Sequence, residues 1–209
     1  MHLRTTFANT FHLEATVALT VFGIVSGLVA FAVLRYRAGR RSAPATRSEN
    51  NRLEAAYALG LLVVAAWLAA TAATANASLH LSSPAPLAVG VMGYQWSWRF
   101  HYPASGVTVT GGPVGTVPTL VLPAHTSVTL DVSSNDVVHS FWIPHLRFKI
   151  DAFPKHVNKV TLQTGRPGTF PGRCAEFCGL YHDRMDFNVT VVTPAAFKQW
   201  LSGPKLRVA

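Results

Sequence analysis

Charge is scarce in this sequence, and negative charge is scarcer still. Only 13% of the 209 residues are Asp, Glu, Lys or Arg, well below the roughly 25% of soluble proteins. With 49% of the residues hydrophobic, part of the chain belongs in a membrane. Cysteine is nearly absent. Cys174 and Cys178 are the only two, so no other thiol competes with them for a disulfide or a metal. No Cys-x-x-Cys-His occurs, which excludes a c-type haem attached to this chain. There is no zinc-finger spacing, no lysine-rich tail and no other nucleic-acid motif, and no internal repeat or long low-complexity run. The net charge of +9 therefore needs an explanation other than nucleic acid.

The N-terminal third supplies one. Residues 1–14 are short and mixed. Ala15 to Leu34 (ATVALTVFGIVSGLVAFAVL) lacks charge and proline, and about 20 such residues span a bilayer core as a helix. A cleaved signal peptide would carry positive charge before a shorter apolar run. Here the arginines follow the run, at Arg35, Arg37, Arg40 and Arg41. Residues 35–54 form an arginine-rich polar loop opposed only by Glu49 and Glu54. Residues 55–75 (AAYALGLLVVAAWLAATAATA) read as a second span, completing a transmembrane hairpin. The positive-inside rule makes the loop cytoplasmic. Residues 1–14 and everything from residue 76 onward are then extracytoplasmic, and much of the positive charge is a topology signal.

From about Asn76 the period changes to two. Val128, Leu130 and Val132 alternate with polar residues, as do Val160 and Leu162, and Phe187, Val189 and Val191; this is the mark of half-buried strands. Turn signals fall at Pro103 to Gly106, Gly111 to Pro113, Ser133 to Asp136 and Gly165 to Gly168. Residues 76–209 are thus predicted to be an all-β sandwich or barrel. Thr193 as N-cap and Pro194 at the first helical position predict a short C-terminal helix.

Cys174 to Met185 (CAEFCGLYHDRM) puts two thiols, one imidazole and one thioether in a short stretch. Soft sulfur with imidazole suits copper or zinc, not calcium or magnesium. Taken alone, the stretch is equally a short-range disulfide beside an unrelated His and Met. His139, on a predicted strand in Asp136-Val-Val-His-Ser-Phe-Trp-Ile-Pro, supplies a second imidazole. An upstream His followed by a Cys, His and Met loop is how cupredoxin-like sandwiches build a copper site. A second thiolate in that loop can bridge two copper ions, each also taking one imidazole.

With His139 upstream, Cys174-x-Glu176-x-Cys178-x-x-x-His182-x-x-Met185 resembles the dinuclear copper A site of the cytochrome c oxidase subunit II family. The two-span hairpin, the segment Gln95-Trp96-Ser97-Trp98 and the domain order are similar to that family over nearly the whole chain. The resemblance implies bridging thiolates from Cys174 and Cys178, imidazoles from His139 and His182, and a thioether from Met185. It also implies that the backbone carbonyl of Glu176 completes the second copper, while its carboxylate reaches a magnesium ion shared with subunit I. The function implied is that of a two-pass cell-membrane subunit. It takes electrons from a cytochrome c and passes them to haem in subunit I, where oxygen is reduced to water and protons are translocated. The chain would not turn over oxygen alone, since it lacks the histidine clusters for haem and the catalytic copper. A membrane-tethered copper-binding or delivery protein is a second reading, disfavoured by only three methionines. The copper-bearing subunit of a nitric oxide reductase is a third. Quinol-oxidase relatives lack these ligands.

Other residues carry weaker expectations. Trp96 and Trp98 lie two apart, so on a strand they share a face. The resemblance makes Trp96 the exposed aromatic that receives the electron and leaves Trp98 to packing. Glu54, ahead of Ala-Ala-Tyr57, loosely resembles a family glutamate at the mouth of a proton channel in subunit I. Lys149 and Asp151 match a family segment near the subunit I interface, where the resemblance has Asp151 organise water around the magnesium, with a surface salt bridge as the alternative. His2, His12, His80, His101, His125, His145 and His156 fit no metal spacing. Beyond residue 76 stand eleven Lys and Arg against six acids. The expected donor is therefore an acidic cytochrome, or a membrane-held one placed by contacts other than charge steering.

Overall fold

A computed structural model describes residues 2–37, 49–80, 85, 87–204 and 206–208. Most of the arginine-rich loop, with Arg40 and Arg41, lies outside the described residues. The chain divides into two units, one holding residues 6–76 and the other residues 1–5 and 77–209.

In the first unit, helix α1 runs over His2–Tyr36 and α2 over Asn51–His80. Both continue past the apolar runs read from the sequence. Their apolar side chains are exposed, with Leu19 and Phe22 each 71% exposed. Helices apolar all round and left uncovered belong in lipid, where every backbone polar group must be satisfied within the segment. The hydroxyls follow that rule by donating to their own helix. Thr16 and Thr20 bond the carbonyls of His12 and Thr16, and Thr71 that of Leu68. Asn50 caps α2, its Oδ1 accepting the amide of Leu53 at 3.2 Å.

In the second unit the chain forms β1 (Leu87–Tyr94), β2 (Ser97–Tyr102), β3 (Val107–Thr110), β4 (Thr119–Pro123), β5 (Ser127–Ser134) and β6 (His139–Ile143). It continues through β7 (Phe148–Ala152), β8 (Asn158–Gln163), β9 (Gly168–Cys174), β10 (Asp186–Val192), helix α3 (Pro194–Leu201) and β11 (Leu206–Val208). One sheet runs β11-β3-β2-β1-β5-β8 and the other β4-β10-β9-β6-β7. This is the cupredoxin-like sandwich. Its core is built by period-two strands. Val128, Leu130 and Val132 of β5, and Phe187 and Val189 of β10, are fully buried. Thr193 caps α3 by accepting the amide of Ala196, and Phe197 of that helix is buried.

The end of the core beneath the loop from Cys174 to Met185 is aromatic. Phe141 on β6 stacks on Phe187 at 4.4 Å between centroids, and Trp98 on β2 meets both edge-on at 5.3 and 5.5 Å. Such pairs contribute beyond their buried area. The ring of Phe187 lies over Gly172, its register partner on β9. A Cβ on Gly172 would stand too close to two carbons of that ring to be accommodated without a shift. Gly172→Ala should therefore cost about 1–3 kcal/mol through overpacking, read as a lowered melting temperature of the purified chain. An unchanged melting temperature would show that the aromatic layer yields freely.

Candidate metal centre

Strand ends bring the ligand candidates together. Cys174 closes β9, His139 opens β6, and the two strands are antiparallel neighbours with Phe141 paired to Cys174. Between β9 and β10 the chain makes a closed loop rather than a continued ladder. The amide of Cys174 donates to the carbonyl of Met185 at 3.0 Å, and that of Ala175 to Ser140 at 3.0 Å. A turn of 3-10 helix over His182–Arg184 returns the loop, with the amide of Met185 bonded to the carbonyl of His182. Trp98 Nε1 donates to the carbonyl of Met185 at 3.3 Å, so the aromatic layer holds the loop from beneath.

The result is a compact donor set. The two cysteines are unbridged, with their sulfurs 3.9 Å apart. The ligand atoms of His139, Cys174 and Cys178 all lie within 4.8 Å of one another. His139 Nδ1 is 3.9 Å from Cys174 Sγ, and His182 Nδ1 is 3.5 Å from Cys178 Sγ. Met185 Sδ lies 3.8 Å from Cys178 Sγ, and the carbonyl of Glu176 lies 3.3 Å from Cys174 Sγ. His139 is fully buried, Met185 is 1% exposed, and the cysteines are 5% and 4% exposed. Two thiols, two imidazoles, a thioether and a carbonyl, converging where water is excluded, fit a thiophilic transition metal and copper in particular.

Electrostatics sharpens the picture. Burial opposes ionisation of Cys174, but the His139 imidazole and the amide of Ser140 outweigh it and bring that thiol down to about 7. Burial and the neighbouring Cys174 sulfur push the Cys178 thiol up to about 12. One negative charge is thus welcome without metal and a second is not, so a cation is needed before both sulfurs can be thiolates. His139 Nε2 lies 2.9 Å from Asp136 Oδ1. The carboxylate can only accept, so Nε2 carries the proton and the Nδ1 lone pair faces the sulfurs. Burial works against ionisation at both groups; even so, their contacts keep the carboxyl of Asp136 lowered and the imidazole of His139 raised.

The remaining candidates are dispersed. Trp98 is fully buried in the aromatic layer. Trp96 does not share a strand face with it. Gln95 and Trp96 form the two-residue turn between β1 and β2, so alternation does not reach Trp96. Its ring is partly buried, edge-on to Tyr181 at 5.0 Å, and its Nε1 donates to the carbonyl of Cys178 at 3.1 Å. Glu176 sends its backbone inward while its side chain is exposed. Glu54 stands exposed in the first turn of α2. Lys149 and Asp151 pair at 3.6 Å on β7. His101 bonds Thr108, His145 stacks on Phe170 and His156 meets Asn158. Sequence reasoning gave no role to Asp136 or to Gln95. The only signal was the position of Asp136 three residues before His139.

A cupredoxin-like domain with two buried thiols in its closing loop, behind two apolar helices, defines a class of membrane-anchored copper protein. Residues 114–192 match the family model described as cytochrome C oxidase subunit II, periplasmic domain. A Streptomyces avermitilis protein named "Probable cytochrome c oxidase subunit 2" is 34% identical, over 88% of this chain and 70% of its own. The cytochrome c oxidase subunit 2 of Cereibacter sphaeroides is 28% identical over 91% of this chain and 73% of its own. Among solved structures, the periplasmic domain of subunit II of cytochrome oxidase from Bradyrhizobium japonicum aligns with a TM-score of 0.52 at 30% identity. It covers 57% of this chain and 93% of that domain. A mixed disulfide between a thioredoxin-like protein and a cytochrome c oxidase subunit II aligns at 0.51, with 31% identity over 58% of this chain and 93% of that one. The chain belongs to the cytochrome c oxidase subunit 2 family. It is a membrane-anchored subunit of an oxidoreductase, with a copper-binding domain outside the cytoplasm.

The orientation of His139 leads to a test. Asp136→Ala removes the acceptor that fixes the imidazole, and such partners of metal-bound histidines are worth roughly 10–100-fold in metal affinity. Titration of the full chain with copper against a competing chelator should show a loss of that size. Unchanged affinity would mean that strand β6 alone orients the ring.

Proposed function

We propose that this chain is the electron-accepting subunit of a plasma-membrane cytochrome c oxidase. In this reading Cys174 and Cys178 would hold two copper ions between them, with His139, His182, Met185 and the carbonyl of Glu176 as the further ligands. The observation that carries it is the convergence of four donors, two imidazoles, a thioether and a carbonyl, around two sulfurs 3.9 Å apart. A copper pair supplies one-electron chemistry with little geometric change, because one electron is shared between two ions. The residues do the rest. The buried aromatic layer excludes water, Asp136 holds the tautomer of His139, and Trp96 offers a partly exposed aromatic bonded to the carbonyl of Cys178. Glu176, exposed beside Phe177, which is 79% exposed, turns a carboxylate outward. That placement suits a magnesium ion shared with a haem-bearing subunit I, the partner that passes electrons on to oxygen and pumps protons. Glu54 is proposed for the mouth of a proton channel in that partner, on its position at the start of α2 alone.

The same two sulfurs can leave the productive state. A disulfide needs them at about 2.05 Å, and oxidation would close the loop against metal. A thioredoxin-like partner of the kind found in mixed disulfide with a subunit II relative is the reductant this site calls for before copper arrives.

The donor is proposed to be an acidic cytochrome or one held at the membrane. The cations nearest the copper loop are neutralised locally, Arg173 by Asp186 at 3.9 Å and Arg184 by Asp183 at 4.0 Å. The excess of basic residues leaves no acidic ring to steer a basic soluble donor, and steering is what makes such association fast at low salt. Two measurements test these readings. Visible and paramagnetic-resonance spectra of the copper-loaded chain should give a purple mixed-valence signal that Cys178→Ser abolishes; a blue one-copper signal, or retention in the variant, overturns the site. In stopped flow, a basic soluble cytochrome c should reduce it slowly with little salt dependence. A fast rate that falls steeply with salt excludes the proposed donor class.

A further inference from the structure

Gln95 is an exposed residue with no evident part in the core, yet its contacts are among the most specific in the chain. Its backbone N–H donates to Asp136 Oδ2 at 2.7 Å, and its side-chain Nε2 donates to the carbonyl of Cys178 at 2.8 Å. The second contact joins residues 83 apart in sequence. The carbonyl is acceptor-only, so the amide nitrogen must face it, and the orientation follows from the chemistry. The same carbonyl takes Trp96 Nε1 at 3.1 Å. Both lone pairs of one oxygen are thereby occupied, one by Gln95 and one by Trp96.

We propose that Gln95 is a positioning residue that holds the indole of Trp96 on the carbonyl of Cys178, giving the incoming electron a hydrogen-bonded route to that cysteine. The inference rests on the reading of Trp96 as the receiving aromatic. A two-residue turn between strands has few contacts of its own, and an indole on it can rotate away from the loop. Three bonds prevent this. Asp136 grips the turn by its backbone while its other oxygen holds His139, and Gln95 and Trp96 together grip the residue that supplies the second sulfur. The turn is thus tied to a ligand on each side of the centre.

Gly179 shows that the loop accommodates this clamp. Its φ is +119°, a backbone conformation that side chains rarely adopt. A Cβ there would stand 3.2 Å from Gln95 Nε2 and 3.2 Å from Trp96 Nε1 and Cζ2. The residue after Cys178 therefore has no side chain just where two donors must reach the carbonyl behind it. Tyr181, edge-on to Trp96, closes the far side. One electron leaves the donor and one arrives at the bound copper. Trp96 is unchanged after the passage, and no proton moves.

The test uses the full chain in detergent, with Gln95→Met (similar length, no donor) and Gln95→Glu (same shape, a carboxylate facing the carbonyl). In the copper-free chain labelled with 5-fluorotryptophan, the fluorine resonance of Trp96, assigned by its loss in Trp96→Phe, should shift and broaden in both variants. After copper loading, both should keep the wild-type spectrum. Both should accept electrons from a photoexcited ruthenium reductant roughly threefold to fivefold more slowly, the scale set by loss of one net hydrogen bond. An unmoved Trp96 resonance with unchanged rates overturns the proposal while leaving Trp96 in place. Loss of the copper spectrum in both variants overturns it too, since Gln95 would then serve the metal and not the indole. If Trp96→Phe itself accepts electrons at the wild-type rate, the failure lies instead in the reading of Trp96.

Discussion

Two sulfurs 3.9 Å apart inside a nearly dry loop are the constraint on which the rest of the second unit depends. At that separation they are too far apart to be bonded and close enough to repel when ionised: with Cys174, despite its burial, brought down to about 7 by His139 and the amide of Ser140, burial and that neighbouring sulfur push Cys178 up to about 12. Only a cation, a proton or a covalent bond relieves the conflict. The fold favours the cation by surrounding the pair with neutral donors that cannot relieve it otherwise: two imidazoles, a thioether and a carbonyl. A carboxylate at the centre would add to the repulsion. The nearest one, on Asp136, is instead held behind His139, where it adjusts a ligand without touching the sulfurs.

Holding such a pair requires rigidity on both sides of the loop. The amide of Cys174 closes on Met185, and Trp98 bonds the same carbonyl from the core. The stacked and edge-on rings of Phe141, Phe187 and Trp98 make that floor stiff, and Gly172 is bare so that Phe187 can lie flat against β9. The site therefore inherits its geometry from the core. That is the arrangement expected where ligands must keep their places through repeated loading and unloading of charge.

Much of this was legible in the sequence, for identifiable reasons. The strands of Val128, Leu130 and Val132 and of Phe187, Val189 and Val191 showed because burial on one face imposes a period of two. Five of the donor residues showed because they crowd into Cys174 to Met185, where chemistry and spacing can be read together. His139 needed only a strand to place it. What stayed hidden depends on contacts between distant residues. Asp136 and Gln95 meet across 41 positions, and Gln95 and Cys178 across 83, and no local period encodes either. The shared face of Trp96 and Trp98 failed for a related reason: alternation holds within a strand, and Trp96 sits on the turn before one. The local pairing of Arg173 and Arg184 with aspartates was equally invisible to a count of charges.

That pairing changes what the positive charge is for. A domain with eleven basic and six acidic residues beyond residue 76 looks, as a sum, like a surface that attracts anions. Near the copper loop the sum is misleading, because each arginine there faces its own aspartate and exposed pairs of this kind project little field beyond a Debye length. Besides those charges the loop presents two large apolar side chains, Phe177 and Leu180, 79% and 75% exposed. An apolar contact face gives short-range fit without long-range attraction. A donor that relies on fit must already be close, and a chain with two lipid-exposed helices lives where a donor fixed to the same membrane is always close. Anchoring can thus replace steering, and the sequence's scarcity of acid is consistent with a protein that does not need it.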